Sequence, residues 1–251
     1  MRRTSLVLAV FFVAFAIAWA GGDPWKTKPM SQWNDSDIDR ALHNSPWSRV
    51  VPVEATWKPL TEAEQNARML PGTASGASGG SKGMGGTSTV LPAEHSDAQT
   101  RGADVAFSVY WMSSRTIRTA IGRKGVLHSG KDEAEAEKFA TQPLGEYQIL
   151  VQSLDMAPFY RNEEAWFVKN SSLELKKSKQ KMSPSRVEFD RDSSGRTIVA
   201  ARFYFPKKAA GDTEFVTPGE KAVEFSCKVG NSTIHADFEP PKMSDQQGPD
   251  F

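Results

Sequence analysis

DVAFSVYWMSSRTIRTAI, residues 104–121, is the stretch on which the reading of the fold turns. Val105, Phe107, Val109 and Trp111 alternate with Ala106, Ser108 and Tyr110, the period of two that puts one row of side chains on one face of a sheet. Ser113 or Ser114 can then cap a helix whose Ile117, Ala120 and Ile121 form a single apolar stripe. Gly122 and Gly125 offer positions for that helix to stop. A strand feeding straight into a helix that folds back on it predicts a local nucleus for the remaining strands.

Working outward, the hairpin at residues 221–239 carries the firmest register. Gly230-Asn231 is a two-residue turn, so Val229 faces Ser232, Cys227 faces Ile234, Phe225 faces Ala236 and Val223 faces Phe238. Apolar side chains share one face, while Glu224, Ser226, Lys228, Thr233, His235 and Asp237 form a wet one. Residues 197–205 are apolar on nearly both faces, as a central strand requires, and Pro206 closes them. Strands are also expected around Tyr147–Val151 and Val187–Phe189. Residues 161–175 read equally as a helical turn at Ala165–Val168 or as a strand at Leu173–Leu175. Residues 131–140 read as a polar helix.

On the N-terminal side, Asn34 is a good N-cap, with Asp35 and Asp37 in the first turn and Trp33 and Ile38 at staple spacing. Asn44 suits a left-handed stop before Pro46. Val51, Val53, Ala55 and Trp57 alternate as a strand, and Pro52, without an N–H, places it at an edge. Residues 60–100 contain a Gly/Ser/Ala/Thr run with almost no large side chain and read as a disordered insertion.

The expected fold is α+β in one domain: a mainly antiparallel sheet of about six or seven strands, two or three helices on one face, and the long insertion. Residues 21–59 supply a helix and edge strand, residues 101–239 the main body of the same domain, and residues 240–251 a polar tail.

The address is written at the start of the chain. Arg2 and Arg3 precede an uncharged apolar run from Leu6 to Ile17, and Ala18-Trp19-Ala20 places small residues at a cleavage position, so residues 1–20 read as a signal peptide. The run is shorter than the ~20 residues a spanning helix needs, so no integral membrane span is expected after cleavage. The predicted location is periplasmic or extracellular. Loss of residues 1–20 removes two arginines and no acid, leaving 29 basic against 30 acidic side chains and a net charge of −1. A balance of that kind sets up no long-range field for nucleic acid. The lone Cys227 rules out an intramolecular disulfide, so an ordinary apolar core must hold the chain.

Catalytic signatures are scarce. Four histidines at positions 43, 95, 128 and 235 lack a second histidine or cysteine at metal-binding spacing, and no zinc-protease or C-x-x-C motif occurs. Gly79-Gly80-Ser81-Lys82 superficially looks like a phosphate loop but lacks the glycine directly before the lysine and the hydroxyl after it. No catalytic, cofactor-binding or metal-binding residue is assigned. Cys227 is either a nucleophile or a small buried hydrophobe, and its apolar face favours burial. Trp25, Trp33, Trp47 and Trp57 are either core anchors or stacking platforms, and their phase favours the core. Arg115 and Arg118, at i and i+3, are candidates to bind a carboxylate or phosphate, against the plainer reading that they pair with acids of the chain. The cluster Lys176, Lys177, Lys179 and Lys181 reads as a solvated loop.

Trp33 with Asp37, Ser45-Pro46-Trp47, Trp111-x-Ser113 with Ile117-Arg118-x-Ala120, and Phe203-x-Phe205-Pro206 together resemble a group of uncharacterised exported bacterial proteins. The resemblance implies a shared build and location and no activity. Function therefore reads as a non-enzymatic, extracytoplasmic binding or assembly module, with an envelope protein or glycan as partner through an open sheet edge or aromatic contacts. The rival is an exported hydrolase of cell-wall or glycan material, whose paired carboxylates would be invisible in sequence.

Overall fold

The computed structural model describes residues 22–58, 60–61, 104–208 and 213–251. The signal segment 1–20 and nearly all of the 60–100 insertion lie outside the described residues.

The chain is α+β and its sheets are antiparallel. Strands β1 (Ser48–Glu54), β2 (Asp104–Trp111) and β3 (Glu146–Gln152) join β6 (Arg186–Arg191) and β7 (Ile198–Pro206) in a five-stranded sheet of order β1-β2-β3-β7-β6. Strands β4 (Ser171–Leu175), β5 (Lys181–Met182), β8 (Val223–Val229) and β9 (Ser232–Phe238) form a second sheet of order β5-β4-β8-β9. A short hairpin, β10 (Ser244–Asp245) with β11 (Gly248–Pro249), is the third. The single sheet of six or seven strands expected from sequence is thus corrected, among the described residues, to eleven strands in three sheets. Alternation marks a buried face but says nothing about which strands share a ladder.

The two main sheets face each other across aromatic rings. Trp111 meets Phe238 edge-on at 5.2 Å, and Phe225 meets Phe203 at 5.1 Å and Phe205 at 6.3 Å. Such edge-to-face pairs contribute beyond the area they bury. On one side the edges β1 and β9 approach without a ladder. Side chains bridge them instead: Arg49 Nε donates to the Asp237 carbonyl at 2.7 Å and Ser232 Oγ to the Glu54 carbonyl at 2.9 Å. The Glu54 carbonyl pointing at β9 shows that even-numbered residues of β1 turn their backbone outward. Pro52 therefore sits where its missing N–H costs no bond to β2. On the other side, helices α5 (Ala157–Tyr160) and α6 (Glu164–Lys169) insert Phe159 and Phe167, stacked at 4.7 Å, against Phe189. The ambiguous stretch 161–175 is helix and then strand.

Helices α1 (Pro24–Thr27), α2 (Asp35–His43), α3 (Arg115–Ser129) and α4 (Glu133–Thr141) make a separate group, with a 3-10 turn at Met30–Gln32. Among the described residues, six helices in two groups replace the two or three expected on one face. Asn34 and Asp37 close a full capping box on α2, but Asn44 ends it at φ −127°, outside the left-handed region expected for it. Ser114 caps α3 through the Ile117 N–H. That helix runs through both glycines read as stops and ends at Gly130, φ +64°. At Gly122 an added Cβ would lie 3.1 Å from the Ala136 carbonyl of α4, so this glycine is there for close helix approach. α3 packs mainly on α2 and α4 rather than back along β2.

The β8–β9 register is the one read from sequence at every position, and β7 is flanked on both sides. Residues 240–251 are corrected from a polar tail to a docked segment: Met243 is fully buried and Asp250 is 2 % exposed. No described helix is long and apolar enough to cross a membrane.

Candidate functional site

A cleft of about 230 Å³ opens where α1 and the 3-10 turn, α3, α4 and β10 converge. Trp25, Lys28, Arg115, Thr119, Glu137 and Asp245 are among its lining residues. Each is set by a local device. Pro24 starts α1, and Trp25 then packs edge-on against Trp47 at 5.5 Å. Lys28 is tied to Asp37 at 2.8 Å, the same carboxylate that closes the box on α2. Thr119 and Glu137 project from α3 and α4, whose approach depends on Gly122.

Arg115, the first residue of α3, carries the strongest polar contact here. Its Nε and Nη2 grip both oxygens of Asp245 at 2.7 Å, and Nη2 also donates to the Pro249 carbonyl at 3.2 Å. The Asp245 hydrogen bond holds the guanidinium pKa above its ordinary value, more than offsetting partial burial. Asp250 then accepts from the backbone N–H groups of Arg115 at 2.6 Å and Thr116 at 3.0 Å, and from the Thr116 hydroxyl at 2.8 Å. It occupies the positive end of α3 that every helix leaves unsatisfied. Burial nonetheless wins over these bonds and keeps its carboxyl pKa above the usual range. The Asp250 carbonyl accepts from Trp47 Nε1, so the C-terminal segment is fixed from both sides.

Arg118 does not face the cleft. It is buried, and its donors go to four carbonyls: Ser113 and Ser114 before the helix, Phe139 and Gln142 at the end of α4. Burial lowers its pKa, and what it accomplishes is to satisfy the last carbonyls of α4. The two candidate arginines thus diverge: Arg115 lines the cleft with its charge matched inside the chain, and Arg118 joins α4 to the β2–α3 turn.

The remaining candidates are core. Trp25, Trp33, Trp47 and Trp57 are all buried, and Trp25 and Trp33 also border the cleft. Cys227 is fully buried, and desolvation pushes its thiol up to about 12. Among the described residues the exposed large apolar side chains are Val50, Leu127, Phe139 and Leu154, each in a different part of the chain. Among the described residues no three His, Cys, Asp or Glu side chains are grouped to hold a metal. Trp33, Asp37, Ser45, Trp47, Trp111, Ser113, Ile117 and Arg118 are all buried.

No known protein family, curated protein or solved structure matches the chain.

Sequence reasoning missed Glu137 and Asp245. Glu137 lies on a helix whose acids look uniformly solvated. Asp245 precedes Gln246-Gln247-Gly248-Pro249, and an acid followed by Gly-Pro was the available sign of a turn there.

Proposed function

We propose that the chain is an exported, non-enzymatic module that binds an envelope protein or glycan through the cleft at Trp25, Arg115 and Asp245. The observation that carries this reading is that both cations of the cleft are paired with acids of the chain. Arg115 is closed bidentately by Asp245, and Lys28 by Asp37. A site so neutralised suits recognition by shape and hydrogen bonds better than proton transfer, which needs an acid or base held ready. Export rests on the basic, apolar and small-residue order of the leader.

The hydrolase reading keeps one specific support: two carboxylates, Glu137 and Asp245, line the same cleft. Against it, both Asp245 oxygens are taken up by the Arg115 guanidinium at 2.7 Å, which leaves neither free to meet a substrate. The test is a pull-down of the mature protein from envelope extract beside an activity screen on peptidoglycan and polysaccharides, with Thr119→Trp to fill the cleft. Capture of one partner in stoichiometric amount, abolished by Thr119→Trp and without turnover, is the expected result. Turnover that disappears in Glu137→Gln or Asp245→Asn would replace the binding module with the hydrolase.

A further inference from the structure

Far from that cleft in sequence, the β4–β5 turn and the approach to β8 border a second, open cleft of about 650 Å³. It is lined by Lys176, Lys177, Gly219, Lys221 and Ala222, and no carboxylate is among them. The Lys176 N–H donates to the Ala222 carbonyl at 3.0 Å, which fixes the two segments side by side.

Apart from Glu220, whose buried Oε2 has no hydrogen-bond partner among the described residues, nearby acids are already shared. Glu174 takes Lys181 at 3.0 Å and Lys179 at 3.5 Å, while Glu224 takes Lys176 at 2.6 Å and His235 at 3.5 Å. Glu239 is held by Lys242 at 2.8 Å and feels Lys221 only through space. Among the described residues Lys177 and Lys221 make no ion pair, and both line the cleft beside Lys176. Gly219 adds an independent observation. With Pro218 it occupies the centre of a turn closed by the Glu220 N–H on the Thr217 carbonyl at 3.1 Å, and it does not have a positive φ. A Cβ there would meet only Thr217 Oγ1, at 3.7 Å. Neither backbone nor packing requires glycine, whose effect is to leave the cleft floor bare.

We propose that this cleft binds a phosphate-type oxyanion, with Lys177 and Lys221 as its two point-charge donors. Lysine suits this task because its three N–H donors rotate to meet a tetrahedral group. The oxyanion is either free phosphate or a phosphate carried on a polymer, and the experiment separates them. Mature protein is titrated calorimetrically with inorganic phosphate and with polyphosphate at about 0.15 M salt, where exposed charges are screened beyond ~8 Å.

Saturable binding of either probe is expected. Inorganic phosphate binding identifies the free ion as sufficient, and polyphosphate binding alone identifies a phosphate-bearing chain. The Lys177→Ala/Lys221→Ala double variant should bind at least tenfold more weakly. Gly219→Leu should do the same with an unchanged melting temperature, and Lys228→Ala should stay within twofold of the parent. Failure of both probes to bind overturns the proposal. So does a double variant, or a folded Gly219→Leu protein, that binds within twofold of the parent. Should Gly219→Leu not fold, the double variant decides.

Discussion

The β8–β9 hairpin and the α3–C-terminal junction are both buried, yet opposite physics holds them. In the hairpin, Phe225, Cys227, Ile234, Ala236 and Phe238 are at most 1 % exposed, and rings from the facing sheet fill the space between them. At the junction, Asp250, Thr116 and Arg118 are equally sequestered, but what they exchange are hydrogen bonds between residues more than a hundred positions apart or with main-chain carbonyls. Apolar burial is nondirectional and spread over many contacts, whereas each bond at the junction has one donor and one acceptor. Substitutions should therefore act by volume in the first region and by chemical identity in the second.

The largest expected effect is in the hairpin. Phe238→Ala removes a ring packed on Trp111 and should cost ~3–5 kcal/mol, while Lys228→Ala on the wet face should stay within ~0.5 kcal/mol. Denaturant titration of both variants measures the contrast, and comparable losses would mean that the aromatic face does not carry the stability.

Next is the junction. Asp250→Ala strands three donors and should cost ~1–3 kcal/mol. Asp250→Asn keeps a carbonyl acceptor and sheds the buried charge that raises the Asp250 pKa, so it should cost less than alanine. If alanine and asparagine are equally damaging, the site depends on the charge and not on the count of acceptors.

This contrast also explains what could be read from the sequence. The hairpin announced itself through Gly230-Asn231 and strict alternation, and the register followed at every pair. Residues 240–251 carry no periodicity, because their docking rests on one carboxylate, one indole N–H and a small hairpin, none of which leaves a repeating pattern. Gly122 and Gly125 misled for a related reason. A glycine that lets helices approach and a glycine that ends a helix look alike in one dimension, and only the position of Ala136 distinguishes them. Arg115 was legible as a chemical group, but its partner Asp245, 130 residues away, was not.

A third effect appears only at alkaline pH. Burial raises Cys227 from its ordinary 9.0 to about 12 and Tyr147 from 10.0 to about 12. Both groups keep their proton in the folded protein after the unfolded chain has lost it, so stability falls as pH rises from about 9 to about 12. Each group contributes a slope of ~1.4 kcal/mol per pH unit within its own interval. Cys227→Ala should lower stability at pH 7 through lost packing, yet make the decline that begins near 9 shallower by one proton. Melting temperatures across the alkaline range test this, and an unchanged slope would show that the thiol ionises without opening the core.

The smallest effect distinguishes two glycines three residues apart on α3. Replacing a helical glycine by alanine gains ~1 kcal/mol where nothing opposes the methyl group. At Gly125 the new Cβ would come within 2.6 Å of Lys131 Cδ, but that lysine is partly exposed and can rotate away, so most of the gain should survive. At Gly122 the obstacles are the Ala136 carbonyl at 3.1 Å and Met30 Cε at 3.2 Å. The carbonyl belongs to the α4 backbone and can retreat only if the helix pair separates. Gly125→Ala should thus raise the melting temperature by a few degrees, and Gly122→Ala should leave it unchanged or lower it. The sign of the difference is what matters. A stabilised Gly122→Ala protein would mean that α3 and α4 have slack between them, and the cleft they wall would then be free to change its width.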